Sequence, residues 1–249
     1  MGRAIIAAID ERDDLHLSGV WVRDAQAAAA LPVPAAVQVS ADLDRVFDAA
    51  DVIIDFSLSD ATSQVVATAV RQQKPLVCGV SGLDDEQIGR IDAASAVIPV
   101  VYDCNMSQGI AVLERLIRQA ATTLGMEFEV EIDETHHVHK KDAPSGTALK
   151  LGAAVAEARD QPFAAVRWYA PEATTAKPAA GDIRFEVERR GDVYGDHTVS
   201  FASATERLAF SHSVTSRRVF AAGALRAATW ISTQAPGRFD MADVLFHKT

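Results

Sequence analysis

Residues 51–57 read DVIIDFS, residues 75–82 read PLVCGVSG and residues 97–104 read VIPVVYDC. Each segment carries a short apolar run, and the residues between the runs place apolar side chains at helical spacing. Continuous apolar runs are typical of strands buried on both faces, and strands that alternate with helices form βαβ units. With one more run at 17–22, the first part of the chain is predicted to be an α/β domain built on a Rossmann-type parallel sheet.

The pattern changes after residue 106. A long amphipathic helix is predicted at 107–125, and the segment EFEVEID that follows it alternates apolar and acidic residues, as a strand with one wet face does. The alternation recurs in segments 183–189, 197–204 and 207–214. The second part is therefore predicted to be an α+β domain with an antiparallel or mixed sheet, followed by an amphipathic helix at 217–233.

The composition is that of an ordinary globular chain. Of the 249 residues, 49% are apolar and 23% are charged, and the formal net charge is −10. A negatively charged chain repels a polyanion, so we expect no nucleic-acid partner. We also expect no membrane segment, because no apolar run approaches the roughly 18–20 residues of a membrane helix, and early acidic residues argue against a signal peptide. The only two cysteines, Cys78 and Cys104, indicate a reducing cytoplasm.

The densest cluster of polar residues follows the strand predicted at EFEVEID. Residues 134–147 read ETHHVHKKDAPSGT and include three of the seven histidines. Ser145 is a suitable N-cap for a helix that begins with Gly146 and Thr147. Free N–H groups at a helix start bind anions, and glycine leaves room for close approach. The segment is therefore predicted to bind a small carboxylate or phosphate and to transfer protons through its histidines.

The cluster has alternative interpretations. His136, His137 and His139 have the side chains of zinc ligands, but their spacing does not match the usual patterns and no obvious further ligand is present, so no metal site is expected. A solvated or purely structural cluster is a second alternative. A serine hydrolase is excluded for Ser145, because the Gly-x-Ser-x-Gly frame is absent.

Polar and small residues follow the predicted parallel strands, in DFS at 55–57, GVSG at 79–82 and DCNM at 103–106. Each group alone suits a simple turn, but open α/β sheets bind ligands at the carboxyl edge of their strands, so the three together favour a nucleotide groove. Arg23 follows the strand predicted at 17–22, where an acidic residue usually binds the ribose of NAD. Its guanidinium suits the 2′-phosphate of NADPH or is an ordinary surface group.

The sequence resembles a known family. Residues 134–148, ETHHVHKKDAPSGTA, are similar to the signature of the bacterial dihydrodipicolinate reductases. The similarity extends to VIIDFS, the turn at Gly79, NMSQG at 105–109, GDH at 195–197 and GRFDM at 237–241.

The resemblance implies a dinucleotide-binding domain at 1–106, completed by 217–249, and a substrate-binding and oligomerisation domain at 107–216. It implies reduction of 4-hydroxy-tetrahydrodipicolinate to tetrahydrodipicolinate, with loss of water, in lysine and diaminopimelate biosynthesis. The implied cofactor is NADPH, with NADH as an alternative. A homotetramer is implied as well.

The resemblance also implies residue roles. His136 would donate or accept the proton with Lys140 as its catalytic partner, and the substrate carboxylates would lie at His137, Gly146 and Thr147. The residues that would bind the cofactor are Gly2, Arg23, Gly79, Val80, Ser81, Asp103, Cys104, Asn105 and Met106.

Two features depart from the family pattern. Its glycine-rich turn normally ends in Gly-Arg-Met-Gly-Arg, of which Met1, Gly2 and Arg3 are present, so we expect the protein to extend upstream by about one strand and a turn. Val22 stands where many members carry an acidic ribose ligand, which weakens the case for NADH. A catalytically weak relative that only binds the dicarboxylate, and a reductase of another imine or aldehyde, are the alternative functions. The presence of both His136 and Lys140 favours an active reductase.

Overall fold

The computed structural model describes residues 1–24, 31, 33–169 and 179–246. It divides into two compact units, one formed by Met1–Gln108 with Arg217–Thr249 and the other by Gly109–Ser216. Each unit has its own sheets and its own hydrophobic core. Within the described ranges, no helix is both long enough and apolar enough to cross a membrane.

The first unit is an α/β domain with parallel sheets, which confirms the predicted fold class. Strands β11, β5, β4 and β3 form a four-stranded sheet in that order, and every pair is parallel. Strands β1 and β2 form a separate two-stranded parallel sheet. The strands are β1 (Gly19–Trp21), β2 (Gln38–Ser40), β3 (Ile53–Asp55), β4 (Leu76–Cys78), β5 (Pro99–Tyr102) and β11 (Gly237–Phe239). The helices are α1 (Gly2–Asp10), α2 (Leu43–Asp48), α3 (Ser59–Arg71), α4 (Asp85–Ser95), α8 (Arg218–Ile231) and α9 (Met241–Phe246).

The apolar run of β4 forms the centre of this sheet. Leu76, Val77 and Cys78 have no exposed surface, as expected of a strand covered on both faces. Burial raises the pKa of the Cys78 thiol to about 12, so this side chain is a neutral packing group and not a reactive thiolate.

The carboxyl ends of three strands meet at one edge. The Gly79 N–H donates to the carbonyl of Asp55 (2.8 Å), and the Asp103 N–H donates to the carbonyl of Cys78 (3.2 Å). Because β3, β4 and β5 are parallel and adjacent, the residues that follow them lie side by side. The sheet therefore brings the DFS, GVSG and DCNM groups to a common edge.

The second unit is an α+β domain with a mixed sheet, also as predicted. Its five strands are ordered β10, β9, β6, β8 and β7. The central strand β6 runs parallel to β8 and antiparallel to β9. The strands are β6 (Glu129–His136), β7 (Arg167–Tyr169), β8 (Ile183–Arg189), β9 (Asp196–Ala202) and β10 (Arg207–Ser213). The helices are α5 (Gln108–Leu124), α6 (Gly146–Ala158) and α7 (Phe163–Val166), with a 3-10 turn at Gly125–Glu127.

The core of the second unit lies between the sheet and its two long helices. Fully buried side chains from α5, α6 and the sheet pack in one cluster, as expected from the helical spacing and the alternation in the sequence. Members with no exposed surface include Ile117, Ile132, Leu151, Ile183 and Phe201.

Candidate functional site

The strand β6 carries two polar side chains onto the buried face of its sheet. Val130 and Ile132 lie on that face, and the alternation continues it to Glu134 and His136. These two residues are only 2% and 7% exposed. A buried carboxylate and a buried imidazole need polar partners, and the residues around them supply these.

The Glu134 carboxylate contacts Ser145, Arg189 and His136, and its Oε2 lies 4.0 Å from Nε2 of His197. Its Oε1 accepts from the Ser145 N–H (2.9 Å) and from the Arg189 guanidinium (3.2 Å). Its Oε2 lies 2.8 Å from Nδ1 of His136. Burial alone raises the pKa of the Glu134 carboxyl, but the contacts with His136 and Ser145 outweigh it and lower that pKa to about 2. Glu134 is therefore an anion at neutral pH.

His197 on β9 closes the cluster from the neighbouring strand. Its ring packs edge-on against that of His136, with 5.1 Å between centroids, and its Nε2 lies 3.3 Å from Oγ of Ser145. Burial and the charge of His136 lower the pKa of His197 to about 3. His197 is thus neutral at neutral pH.

The helix α6 begins beside this cluster. Ser145 is its N-cap, as predicted, and Oγ of Ser145 accepts from the Ala148 N–H (3.1 Å). Gly146 is exposed, and a Cβ placed there would meet no atom within 4 Å. Thr147 follows with 8% exposure. The first turn of α6 contains no acidic residue, so its N-terminal N–H groups can bind an anion.

The loop between β6 and α6 is held by Arg189. The guanidinium donates to the carbonyls of Asp142 (2.6 Å) and Lys140 (3.4 Å) as well as to Glu134. Nζ of Lys140 lies 2.8 Å from the Asp142 carboxylate. His137 is half-buried, and its ring is tilted against that of His139 at 6.2 Å.

The second unit therefore brings the sequence-predicted residues of the 134–147 segment into one region. Glu134 touches both His136 and the residue that caps the helix of Gly146 and Thr147. Lys140 belongs to the same loop and contributes to the low pKa of His197.

Three residues of the cluster have the side chains of metal ligands. Ligand atoms of Glu134, His136 and His197 lie within 4.8 Å of one another. However, the Arg189 guanidinium binds the same carboxylate, and this positive charge opposes an added dication. Glu134 instead joins the cluster through hydrogen bonds from Ser145 and Arg189 and a close contact with His136.

In the first unit, the residues at the carboxyl edge of the sheet differ in their surroundings. Gly79 is packed against a ring, because a Cβ there would lie 2.4 Å from Phe56. Val80 is buried and Ser81 is exposed. A small glycine and an exposed serine thus lie next to a buried valine at this edge of the sheet.

The segment 103–106 is anchored by several contacts. The Asp103 carboxylate accepts from the Asn105 N–H (3.1 Å) and from the Met241 N–H (3.3 Å) at the start of α9. Met106 is 1% exposed, whereas Cys104 and Asn105 are partly exposed. Cys104 and Asn105 are therefore the members of this segment that can face a ligand.

Two further predicted residues lie at other points of the first unit. Gly2 opens helix α1, whose first turn has no acidic residue, and a Cβ there would meet no atom within 4 Å. Arg23 follows β1 and forms an ion pair with the exposed Asp60 in the first turn of α3. The N-terminus of a helix and a guanidinium group both bind phosphates well. Gly2 at the start of α1 and Arg23 are therefore suited to a dinucleotide.

Sequence reasoning assigned no role to Glu134, Arg189, Gly195 or His197. For Glu134 a signal was present, since the alternation that puts Val130 on the apolar face also puts position 134 there. The other three lie on β8, on β9 and in the turn between them, and only the pairing of β6 with both strands brings them to the cluster.

Comparisons with known proteins agree with this geometry. Residues 1–106 match the family model described as dihydrodipicolinate reductase, N-terminus, and residues 109–245 match its C-terminal counterpart. The 4-hydroxy-tetrahydrodipicolinate reductase of Alkalilimnicola ehrlichii is 40% identical, with 98% of this chain and 94% of that protein covered. The one from Pseudomonas fluorescens is 41% identical with the same coverage.

A solved structure shares the fold. It is the dipicolinate-bound dihydrodipicolinate reductase from Paenisporosarcina sp. TG-14, with a TM-score of 0.76 and 19% identity, covering 96% of this chain and 92% of that one. The alternative of a binding subunit without catalysis finds no support in any of these relatives.

Proposed function

The chain belongs to the dihydrodipicolinate reductase family, and from this premise we propose which of its residues carry out the reaction. It is an NAD(P)H-dependent oxidoreductase of lysine and diaminopimelate biosynthesis. It converts 4-hydroxy-tetrahydrodipicolinate to tetrahydrodipicolinate with loss of water. We further propose the roles of individual residues, the preferred cofactor and the assembly state.

The first unit binds the dinucleotide. Gly2 and the N-terminus of α1 receive the pyrophosphate, because the helix start offers N–H groups and no acidic side chain. The nicotinamide end would be held at the carboxyl edge of the sheet by Gly79, Val80, Ser81 and the segment of Asp103, Cys104, Asn105 and Met106, in which Cys104 and Asn105 are the partly exposed members. The bound cofactor supplies the hydride.

NADPH is the preferred cofactor. This is supported by the guanidinium of Arg23 at the end of β1, where the 2′ position of a dinucleotide is expected. The carboxylate of Asp60 pairs with Arg23, so the guanidinium must bind both this carboxylate and the 2′-phosphate of NADPH. NADH remains usable, because only the 2′-phosphate contact is lost.

The second unit binds the substrate carboxylates. His137, Gly146 and Thr147 form this binding site, which is supported by the open space at Gly146 and by the absence of an acidic residue from the first turn of α6. The dipicolinate named with the relative from Paenisporosarcina is a dicarboxylate of the same kind. Dipicolinate is therefore a suitable probe of this binding site.

His136 donates the proton that the substrate ring takes up after hydride addition, and Lys140 assists it. The observation that carries this proposal is the buried contact of His136 with an anionic carboxylate beside the start of α6. This arrangement holds an acid group next to the place where the substrate anion binds. The cation of Lys140 raises the local positive potential for a substrate with two negative charges.

A cytoplasmic homotetramer completes the proposal. Both cysteines are free thiols, as expected in a reducing compartment. The edge strand β10 is largely exposed, and exposed strand edges can pair between copies of a chain. Light scattering of the purified protein after size exclusion tests the assembly, and a monomer mass near 26.6 kDa would contradict it.

Initial rates of NADPH and NADH oxidation test the proposed residue roles. The substrate is generated in place by the synthase that condenses pyruvate with aspartate semialdehyde. His136→Gln is expected to lower kcat by roughly 10²–10⁴ and to leave dipicolinate binding within about threefold. If His136→Gln turned over at the wild-type rate, the assignment of the proton donor would be wrong.

A further inference from the structure

We propose that Glu134 is the positioning residue of the proton-transfer site: it holds Nδ1 of His136 so that Nε2 is the atom that exchanges the proton with the substrate. The same carboxylate ties this imidazole to the start of the anion-binding helix. The inference rests on the proposed role of His136 and deepens it, because it assigns the reacting nitrogen and the group that selects it.

The two carboxylate oxygens of Glu134 contact different groups: one contacts the imidazole of His136 and the other contacts the residue that caps α6. Oε2 lies 2.8 Å from Nδ1 of His136, whereas Oε1 accepts from the Ser145 N–H at 2.9 Å. Arg189 also binds Oε1, at 3.2 Å. Since Glu134 is 2% exposed, water does not replace these partners, and the carboxylate fixes the distance between the proton donor and the helix start.

The Nε2 side of the His136 ring lies against a glycine. A Cβ at Gly195 would lie 3.0 Å from Nε2 and 3.3 Å from Cδ2 of His136. Gly195 also has a φ of +150°, which side-chain-bearing residues rarely adopt. A side chain at this position would therefore crowd Nε2, the nitrogen that Glu134 does not hold.

Charge determines which tautomer of His136 the site favours. Glu134 is an anion and accepts hydrogen bonds only, and its Oε2 lies 2.8 Å from Nδ1, so we expect the neutral imidazole to carry its proton on Nδ1. The protonated imidazole carries a second proton on Nε2. His197 packs against the ring as a neutral group and adds no competing charge.

The proton balance of the step follows from this arrangement. His136 begins as imidazolium and gives its Nε2 proton to the carbon centre that becomes electron-rich when hydride has been added. The N–H bond at Nε2 breaks and a C–H bond forms, while the proton on Nδ1 stays against Glu134. The imidazole ends neutral, and Nε2 takes up the next proton from solvent.

A double-mutant cycle tests this role. Glu134→Gln is expected to lower kcat by about 10²-fold, within the range that general acid catalysis contributes. The double variant with His136→Gln should be no slower than His136→Gln alone, because Glu134 acts through the imidazole. A purely structural role would give additive losses in kcat.

Glu131→Gln is the matched control. Glu131 lies on the same strand, is half-buried on the other face of the sheet and pairs with Arg184. The kcat of Glu131→Gln should equal that of the wild type.

A measurement on the unmodified protein keeps the proposal testable if Glu134→Gln does not fold. Long-range ¹H–¹⁵N correlation spectra of ¹⁵N-histidine-labelled enzyme distinguish the two imidazole tautomers, and the signals missing from His136→Gln identify the residue. We expect the Nδ1–H tautomer for neutral His136. A dominant Nε2–H tautomer, or wild-type kcat in folded Glu134→Gln, would overturn the inference.

The two proposals fail in different ways. If His136→Gln were fully active, the proposed role of His136 would be wrong, whatever its tautomer. If His136→Gln were slow while Glu134→Gln were as fast as the wild type, only the positioning role of Glu134 would be wrong.

Discussion

Gly195 lies against the Nε2 side of His136, so closely that a single added methyl group would lie 3.0 Å from that nitrogen. His136 is the last residue of β6, and Gly195 immediately precedes β9. The antiparallel pairing of β6 with β9 brings the two residues together. A residue of the turn before β9 thus lies directly against Nε2 of the proposed proton donor.

Gly195→Ala is expected to lower kcat/KM by about tenfold or more, since small displacements of a reacting group carry large kinetic costs. The positive φ at this position also destabilises the variant, by on the order of 1–3 kcal/mol. Gly191→Ala is the matched control: Gly191 has a φ of +49°, and its Cβ would meet no atom within 4 Å. Steady-state rates and thermal melts of both variants separate the effects. Equal rates in the two variants would show that backbone strain alone explains any loss.

Gly146→Ala tests the proposed carboxylate-binding site without disturbing the fold. A Cβ at Gly146 enters open space, so the variant should fold normally and be as stable as the wild type or more so. Dipicolinate affinity, measured by calorimetry, should fall by about tenfold, because the methyl group weakens a hydrogen bond to a charged group worth roughly 1.5–3 kcal/mol. Gly89→Ala in α4, where a Cβ also meets no atom, should leave binding unchanged. Unchanged affinity in Gly146→Ala would place the substrate carboxylates elsewhere.

Much of the fold was predictable because its signals are local. The strand at 183–189 was predicted with the bounds that the structure has, and the helix at 107–125 differs by one residue at each end. Alternation and helical spacing depend only on neighbouring residues, so they can be read without knowing which strands pair. The order β10, β9, β6, β8, β7 depends on contacts between distant segments and could not be derived in this way.

The candidate site shows the same division. The Ser145 cap and the open helix start at Gly146 follow from residues within a few positions of one another. The contact of Arg189 with Glu134 joins residues that are 55 positions apart. An arginine in an alternating strand normally indicates a solvated face, and here the parallel pairing with β6 turns it toward a buried carboxylate.

Cofactor preference should depend on the pair formed by Arg23 and Asp60. Arg23→Ala is expected to raise KM for NADPH by about tenfold and to change KM for NADH by no more than about twofold, because only NADPH carries the 2′-phosphate. Asp60→Asn should lower KM for NADPH, since the guanidinium then has no competing carboxylate in this pair. Initial rates with each cofactor measure both effects. Equal changes for the two cofactors would remove Arg23 from the phosphate site.

Metal removal should leave the reaction unchanged. Glu134, His136 and His197 have the composition of a metal site, but Arg189 already neutralises the carboxylate. We therefore expect the same kcat/KM before and after dialysis against a chelator. A loss of activity that zinc restores and magnesium does not would instead identify these three residues as a metal centre.

The buried His197 should make the protein less stable in acid. Its pKa is lowered from 6.5 to about 3 in the folded chain, so below about pH 6.5 the unfolded chain takes up a proton that the folded chain does not. The free energy of unfolding should then fall with decreasing pH by up to about 1.4 kcal/mol per unit from this residue, until the folded pKa is reached. His197→Gln cannot take up this proton in either state. Urea unfolding between pH 7 and 4 should therefore show a shallower loss of stability in His197→Gln than in the wild type, and parallel curves would mean that His197 is protonated equally in both states.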